Sequence, residues 1–124
     1  MLRAFLMVAL GGAAGSMARY GTGIVVNKML HHTYPFATFF INILGCFLIG
    51  LLAGLGQRSA WMQAGGWLLL ATGFCGGFTT FSSFALENVQ LVQKQHNFIA
   101  MLYTALSIII GILLCKAGFT LARA

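Results

Sequence analysis

Long apolar runs separated by short polar stretches make up almost the whole 124-residue chain. The first run extends from about Leu2 to Val26, the second from Phe36 to Leu55, the third from Trp61 to Val92 and the last from Phe98 to Leu121. Asn27 to Pro35 (NKMLHHTYP, with the only proline), Gln57-Arg58-Ser59 and Gln93 to Asn97 (QKQHN) connect them. A hydrocarbon core about 30 Å thick needs roughly 20 apolar residues per helix, so each run predicts one transmembrane helix. The pattern therefore reads as an all-α integral membrane protein, one transmembrane domain over residues 1–124 with four spans and nothing left for a soluble domain. The third run departs from the others. Its middle, Gly73 to Phe84 (GFCGGFTTFSSF), puts paired glycines and four hydroxyl residues where an apolar helix should continue. A break near 76–80, at mid-membrane, is expected there. Met-Leu-Arg leads straight into apolar sequence without a clear cleavage signal, so the N-terminus is expected to open the first span.

Composition agrees: 60% of residues are hydrophobic and 6% charged, against about a quarter charged in soluble domains. The formal charge of +6 comes from bases spread along the chain at Arg3, Arg19, Lys28, Arg58, Lys94, Lys116 and Arg123. Without a basic patch, nucleic acid is not an expected partner. Most of these bases fall near span ends, where they reach headgroups and orient the protein. With four spans, Arg3, Arg58, Lys116 and Arg123 face one side and Lys28 and Lys94 the other, a bias small enough to allow insertion either way. Cys46, Cys75 and Cys115 stand apart in apolar segments and read as small core residues, neither a disulfide framework nor a metal site. Glu87 is the only acid. One carboxylate cannot supply general acid and base together, and no triad, metal box or phosphate loop accompanies it, so no enzyme is expected.

Polar side chains inside spans are costly and therefore candidates for function. Arg19, late in the first span, either snorkels or holds a structural hydrogen bond, or it lends positive potential to an aqueous vestibule. Thr38, Asn42 and Gly45 share one helical stripe at i, i+4 and i+7. The Asn42 amide is neutral yet offers two donors, for an anion or for a neighbouring helix. A stop near Gly76 and restart near Thr80 or Phe81 would free carbonyls and, with the helix C-terminal dipole, suit a cation. Phe81 and Phe84 share a face, and aromatic ring edges are electropositive. They are either core or weak donors to a small anion. Tyr103, Ser107 and Gly111 recur every four residues, as close packing or as a row of hydroxyls. Gly11, Gly12, Gly15 and Ser16 read as packing residues.

Gly11 to Tyr20 (GGAAGSMARY), Thr38 to Asn42 (TFFIN) and Gly73 to Phe84 followed by Glu87 resemble, in order and spacing, the Fluc (CrcB) family of fluoride channels. The resemblance covers essentially the whole chain, and its specific part is the GG-x-TTFS-x-F segment. It implies a four-helix subunit with a broken third helix, paired antiparallel with an identical copy in a dual-topology homodimer. Two fluoride pores, a central structural sodium ion and a multi-pass location in the cell inner membrane are implied with it. Passive export of fluoride, relieving its toxicity, is the implied activity. By position Asn42 resembles the pore amide, Phe81 and Phe84 the ring-edge pair, and Arg19 the vestibule arginine. Gly76 and Thr79 resemble the backbone-carbonyl donors to sodium, two from each subunit. Tyr103 and Ser107 resemble the hydroxyl track, and Thr38, Thr80 and Ser82 join the pore candidates. Three positions depart from the family pattern: Ala37 where many relatives have glycine, Ser83 for a more usual threonine, and Gly111 where some continue the hydroxyl track with serine. A small multidrug-type antiporter would need an acid in the first span, which has none, and a non-conducting assembly subunit would leave the broken third helix unused.

Overall fold

The computed structural model describes residues 1–30 and 34–124, and among them every regular element is helical. His31, His32 and Thr33, in the expected connection from Asn27 to Pro35, lie outside the described residues. Helix α1 covers Leu2–Leu30 and α2 covers Phe36–Gly56. The third region divides. Segment α3 spans 60–78, wound mostly in wide π-type turns at Met62–Gly66 and Leu68–Cys75 and ending in one ordinary turn at Gly76–Phe78. Within it Gly65 takes φ +142°, a conformation that only glycine adopts without strain, and kinks the segment. After a non-helical gap, α4 runs Ser82–Gln93 and α5 runs Asn97–Arg123.

Three stretches are long and apolar enough to cross a membrane: Phe36–Gly56, Leu68–Gln93 taken through the gap, and Asn97–Arg123. Helix α1 has 29 residues, about 44 Å at 1.5 Å per residue. It is not one of the three, because its glycines and Arg3, Arg19 and Lys28 dilute its apolar character.

The helices pack as two close pairs, α2 with α5 and α1 with α3. Glycines make both possible. A methyl at Gly50 would run into the Cys115 backbone and one at Gly118 into the Phe47 carbonyl. Across the other pair, Gly11 lies against the Leu69 carbonyl and Gly15 against that of Phe74. Lipid is as apolar as leucine, so helices in it gain from close backbone contact more than from hiding side chains. Few large apolar residues are buried, Ile41, Met62, Phe78, Leu91 and Tyr103 among them. Leu10, Met17, Ile109, Ile112 and Leu113 point outward, an apolar surface suited to hydrocarbon and not to water.

Candidate functional site

The non-helical gap at Thr79, Thr80 and Phe81 is built by side chains on two neighbouring helices. Thr79 is extended, at φ −85° and ψ 161°, while its amide and its Oγ1 both donate to the Cys75 carbonyl, at 3.0 and 2.8 Å, closing α3. The next amide, that of Thr80, would close an α-helical turn on the Gly76 carbonyl. It donates instead to Asn42 Oδ1 at 2.8 Å, and Asn42 Nδ2 returns a bond to the Thr80 carbonyl at 2.9 Å. One side-chain amide thus takes the place of a strand partner for Thr80 and holds the chain out of the helix. On the far side, the Ser83 amide donates to Thr80 Oγ1 at 3.1 Å, satisfying a free amide at the start of α4 as a helix cap does. Arg19 Nε donates to the Gly77 carbonyl at 3.1 Å. The Gly76 and Thr79 carbonyls find no donor among the described residues. Non-helical backbone at membrane depth persists only where protein or a cavity surrounds it, and here both are present.

A cavity of about 440 Å³ lies beside the gap, lined by Asn42, Gly76, Thr79, Thr80, Phe81, Phe84 and Ser107 together with Cys46 and Cys75. Ser107 Oγ is buried and has no hydrogen-bond partner among the described residues. Asn42 has two amide hydrogens, and Thr80 uses one. The Phe81 and Phe84 rings sit 5.7 Å apart, tilted by 40°, and Phe84 is in turn 5.1 Å from the Tyr103 ring. Phe81 is 79% exposed, projecting from the single chain.

A second cavity of about 410 Å³ opens toward the N-terminal end of α2, lined by Arg19, Asn27, Thr38, Glu87, Gln90 and Lys94. The structure therefore gathers Asn42, Thr80, Phe81, Phe84, Ser107, Gly76 and Thr79 around one space and leaves four candidates, Thr38, Tyr103, Ser82 and Arg19, elsewhere. Thr38 Oγ1 and Tyr103 Oη both donate to the Glu87 carboxylate, at 2.8 and 2.9 Å, so these hydroxyls serve an acid and not the first cavity. Ser82 is exposed, its Oγ 3.4 Å from Thr80 Oγ1. Arg19 holds a structural hydrogen bond and lines the second cavity at the same time. Gly111, third on the Tyr103 and Ser107 stripe, lies against Cys46 Sγ, where a methyl would come within 3.2 Å.

Sequence reasoning left Glu87 without a role, passed over Thr104 and read Lys94 only as a base in a connection. Asn88 Nδ2 donates to the Phe84 carbonyl and Thr104 Oγ1 to Asn88 Oδ1, each at 3.0 Å. Glu87-Asn88 and Tyr103-Thr104 are adjacent polar pairs on successive apolar helices. That repetition was the available signal, because two such pairs facing each other satisfy groups that lipid leaves bare.

Helical in every regular element among the described residues, with several stretches long and apolar enough to cross a membrane, this is a multi-pass membrane protein whose broken third segment borders a cavity of neutral donors. The chain belongs to the CrcB family: residues 6–119 match the family described as CrcB-like protein, Camphor Resistance (CrcB). It is 42% identical over 122 residues to a Flavobacterium psychrophilum protein named fluoride-specific ion channel FluC, covering 98% of each chain. It is 43% identical over 119 residues to the FluC of Methylobacillus flagellatus, covering 95% of this chain and 93% of that one. With the FluC of Azobacteroides pseudotrichonymphae it shares 39% over 123 residues, 99% and 98% of the two chains.

Proposed function

We propose that this protein is a passive, fluoride-selective channel that lets cytoplasmic fluoride leave across the cell inner membrane and so lowers its toxicity. The observation that carries the reading is a cavity bordered by neutral donors, with the Ser107 hydroxyl unpartnered among the described residues, in a chain whose relatives are named fluoride-specific channels. Fluoride is small and strongly hydrated, so a pore must replace its water with donors and still release it. The second hydrogen of the Asn42 amide, the Ser107 and Thr80 hydroxyls and the edges of Phe81 and Phe84 make a ladder of moderate strength with no fixed charge to trap the ion. Chloride, larger and a weaker acceptor, gains less from it. Arg19 and Lys94, lining the second cavity, raise the local anion concentration at its mouth. Thr38 and Tyr103 act one step back, through Glu87, by holding α2, α4 and α5 in register.

The working unit is an antiparallel homodimer of four-span subunits with two pores. Helix α1, about 44 Å long and packed against α3, is the fourth span. Arg58 Nη2 donates to the Arg123 carbonyl, which puts these two bases at one end of the bundle. Arg19 and Lys94 share a cavity elsewhere, so positive charge is not confined to one end, as insertion in both orientations requires. Phe81 projects from the lone chain, and a methyl at Gly76 would meet nothing within 4 Å. A second copy on that face would complete the lining.

Sodium fits the interface. The Gly76 and Thr79 carbonyls are neutral oxygens without donors among the described residues, at the C-terminal, negative end of α3, and backbone carbonyls are the usual replacement for the hydration of an alkali cation. Two from each copy would hold it. When bound, sodium supplies a fixed positive charge that ties the two broken helices together.

Purified protein reconstituted in liposomes tests the function: a fluoride electrode should register rapid fluoride efflux, and a chloride electrode almost none under the same gradient. Absence of fluoride efflux, or chloride efflux as fast, refutes it. Side-specific labelling of one introduced cysteine, with crosslinking, should find both orientations in each dimer; a single orientation refutes the antiparallel pairing.

A further inference from the structure

We propose that Asn42, besides facing the anion cavity, is the positioning residue for the cation site: by capturing the Thr80 amide it keeps the Gly76 carbonyl free to bind sodium. This rests on the sodium reading given above. A helix running through this region would commit the Gly76 carbonyl to the Thr80 amide, four residues on. The only described acceptor of that amide is Asn42 Oδ1, at 2.8 Å. The returning bond from Asn42 Nδ2 to the Thr80 carbonyl, at 2.9 Å, fixes the orientation of the same peptide segment. Asn42 sits on α2, outside the broken helix, so the break is imposed from a neighbouring element. Thr79, already extended, completes the turn away from the helix.

The arrangement also links two functions through one side chain. The amide of Asn42 has one hydrogen on the Thr80 carbonyl and one left over on a side chain that lines the anion cavity. Anything that rotates Asn42 toward the anion disturbs the peptide that leaves the Gly76 carbonyl open. Cation binding and anion passage are thereby coupled, without direct contact between the two ions.

Substitutions at position 42 separate this from a purely pore-lining role. In Asn42→Leu the Thr80 amide has no acceptor on α2 and returns to Gly76, because an unpaired amide inside the membrane is too costly. In Asn42→Asp a carboxylate oxygen still accepts that amide, so the carbonyl stays open. In the double variant Asn42→Leu with Thr80→Pro, residue 80 has no amide hydrogen to return. The extended Thr79 already has the conformation favoured before proline.

The experiment is equilibrium binding of radiolabelled sodium ion to the full-length protein in detergent, with dimer content checked by size-exclusion chromatography. Wild type and Gly21→Ala, where the added methyl on α1 meets nothing within 4 Å, should bind alike. Asn42→Asp, which keeps the acceptor but loses the returning bond to the Thr80 carbonyl, should bind more weakly than wild type and more tightly than Asn42→Leu. Asn42→Leu should bind about tenfold more weakly, the equivalent of one lost hydrogen bond, and the double variant, although it also loses the Thr80 Oγ1 cap on Ser83, should bind more tightly than Asn42→Leu. If wild type binds no sodium, the cation reading itself is wrong and this inference with it. If wild type binds and Asn42→Leu binds equally, or if the double variant folds and does not recover, the sodium site stands and the role of Asn42 is overturned. Should Asn42→Leu alone fail to form a dimer, recovery or loss of binding in the double variant decides.

Discussion

Asn42 shows how a residue chosen for one property acts through another. Its amide appeared useful as a neutral donor, and in the structure both of its polar atoms are spent on the Thr80 backbone, with one hydrogen over. Asn42→Asp should therefore abolish fluoride flux, reducing efflux to that of empty vesicles while dimers still form, because a carboxylate repels the anion where an amide hydrogen attracted it. Wild-type efflux from that variant would remove Asn42 from the path. Phe81→Ile should slow efflux severalfold, since an aliphatic side chain has no electropositive edge; unchanged efflux would remove the ring from the mechanism. Glu87 poses a different problem. Its carboxylate is partly buried among apolar helices and accepts from Thr38 and Tyr103. Tyr103→Phe deletes one donor, and a hydrogen bond between membrane helices is worth about 0.6–2 kcal/mol. The midpoint of unfolding in denaturing detergent should fall accordingly, and a midpoint at the wild-type value would show that this bond contributes nothing.

Among the elements, glycine placement decides which helices touch. Gly15 lies against the Phe74 carbonyl and the Phe78 amide on α3, whereas a methyl at Gly21 on the same helix meets nothing within 4 Å. Gly15→Val should separate α1 from α3 and lose most of the folded protein on size-exclusion chromatography. Gly21→Ala should elute as wild type, and stabilise α1 slightly through better helix propensity. Equal behaviour of the two variants would show that the close approach does not hold the pair together. The π-type winding of α3, with Gly65 at positive φ, has no counterpart in the apolar pattern of its sequence, which is compatible with an ordinary helix.

For the molecule as a whole, charge placement sets the anion's approach. Lys94 is exposed and lines the same cavity as Arg19. Lys94→Gln should slow fluoride efflux two- to threefold at about 0.01 M salt of an impermeant anion, where screening extends over ~30 Å, and hardly at all near 1 M, where it falls to ~3 Å. An effect independent of salt would assign Lys94 a packing role instead.

The helical class, the break inside the third apolar run and some of the residues that line the cavity were legible in the chain, because lipid permits few solutions. Every backbone group must be satisfied, so apolar length predicts helices, and glycines with hydroxyls inside one mark where the helix stops. Linear spacing could say nothing of which polar groups meet. Thr38, Asn42 and Gly45 form one stripe, yet Thr38 goes to Glu87, Asn42 to Thr80, and Gly45 to close contact with the Thr79 side chain. Tyr103 and Ser107 likewise share a stripe and part company, one on the acid and one in the cavity. Periodicity orders residues on a single helix, whereas a hydrogen bond between helices depends on the distance and rotation of both. That choice belongs to the packing of α2, α4 and α5.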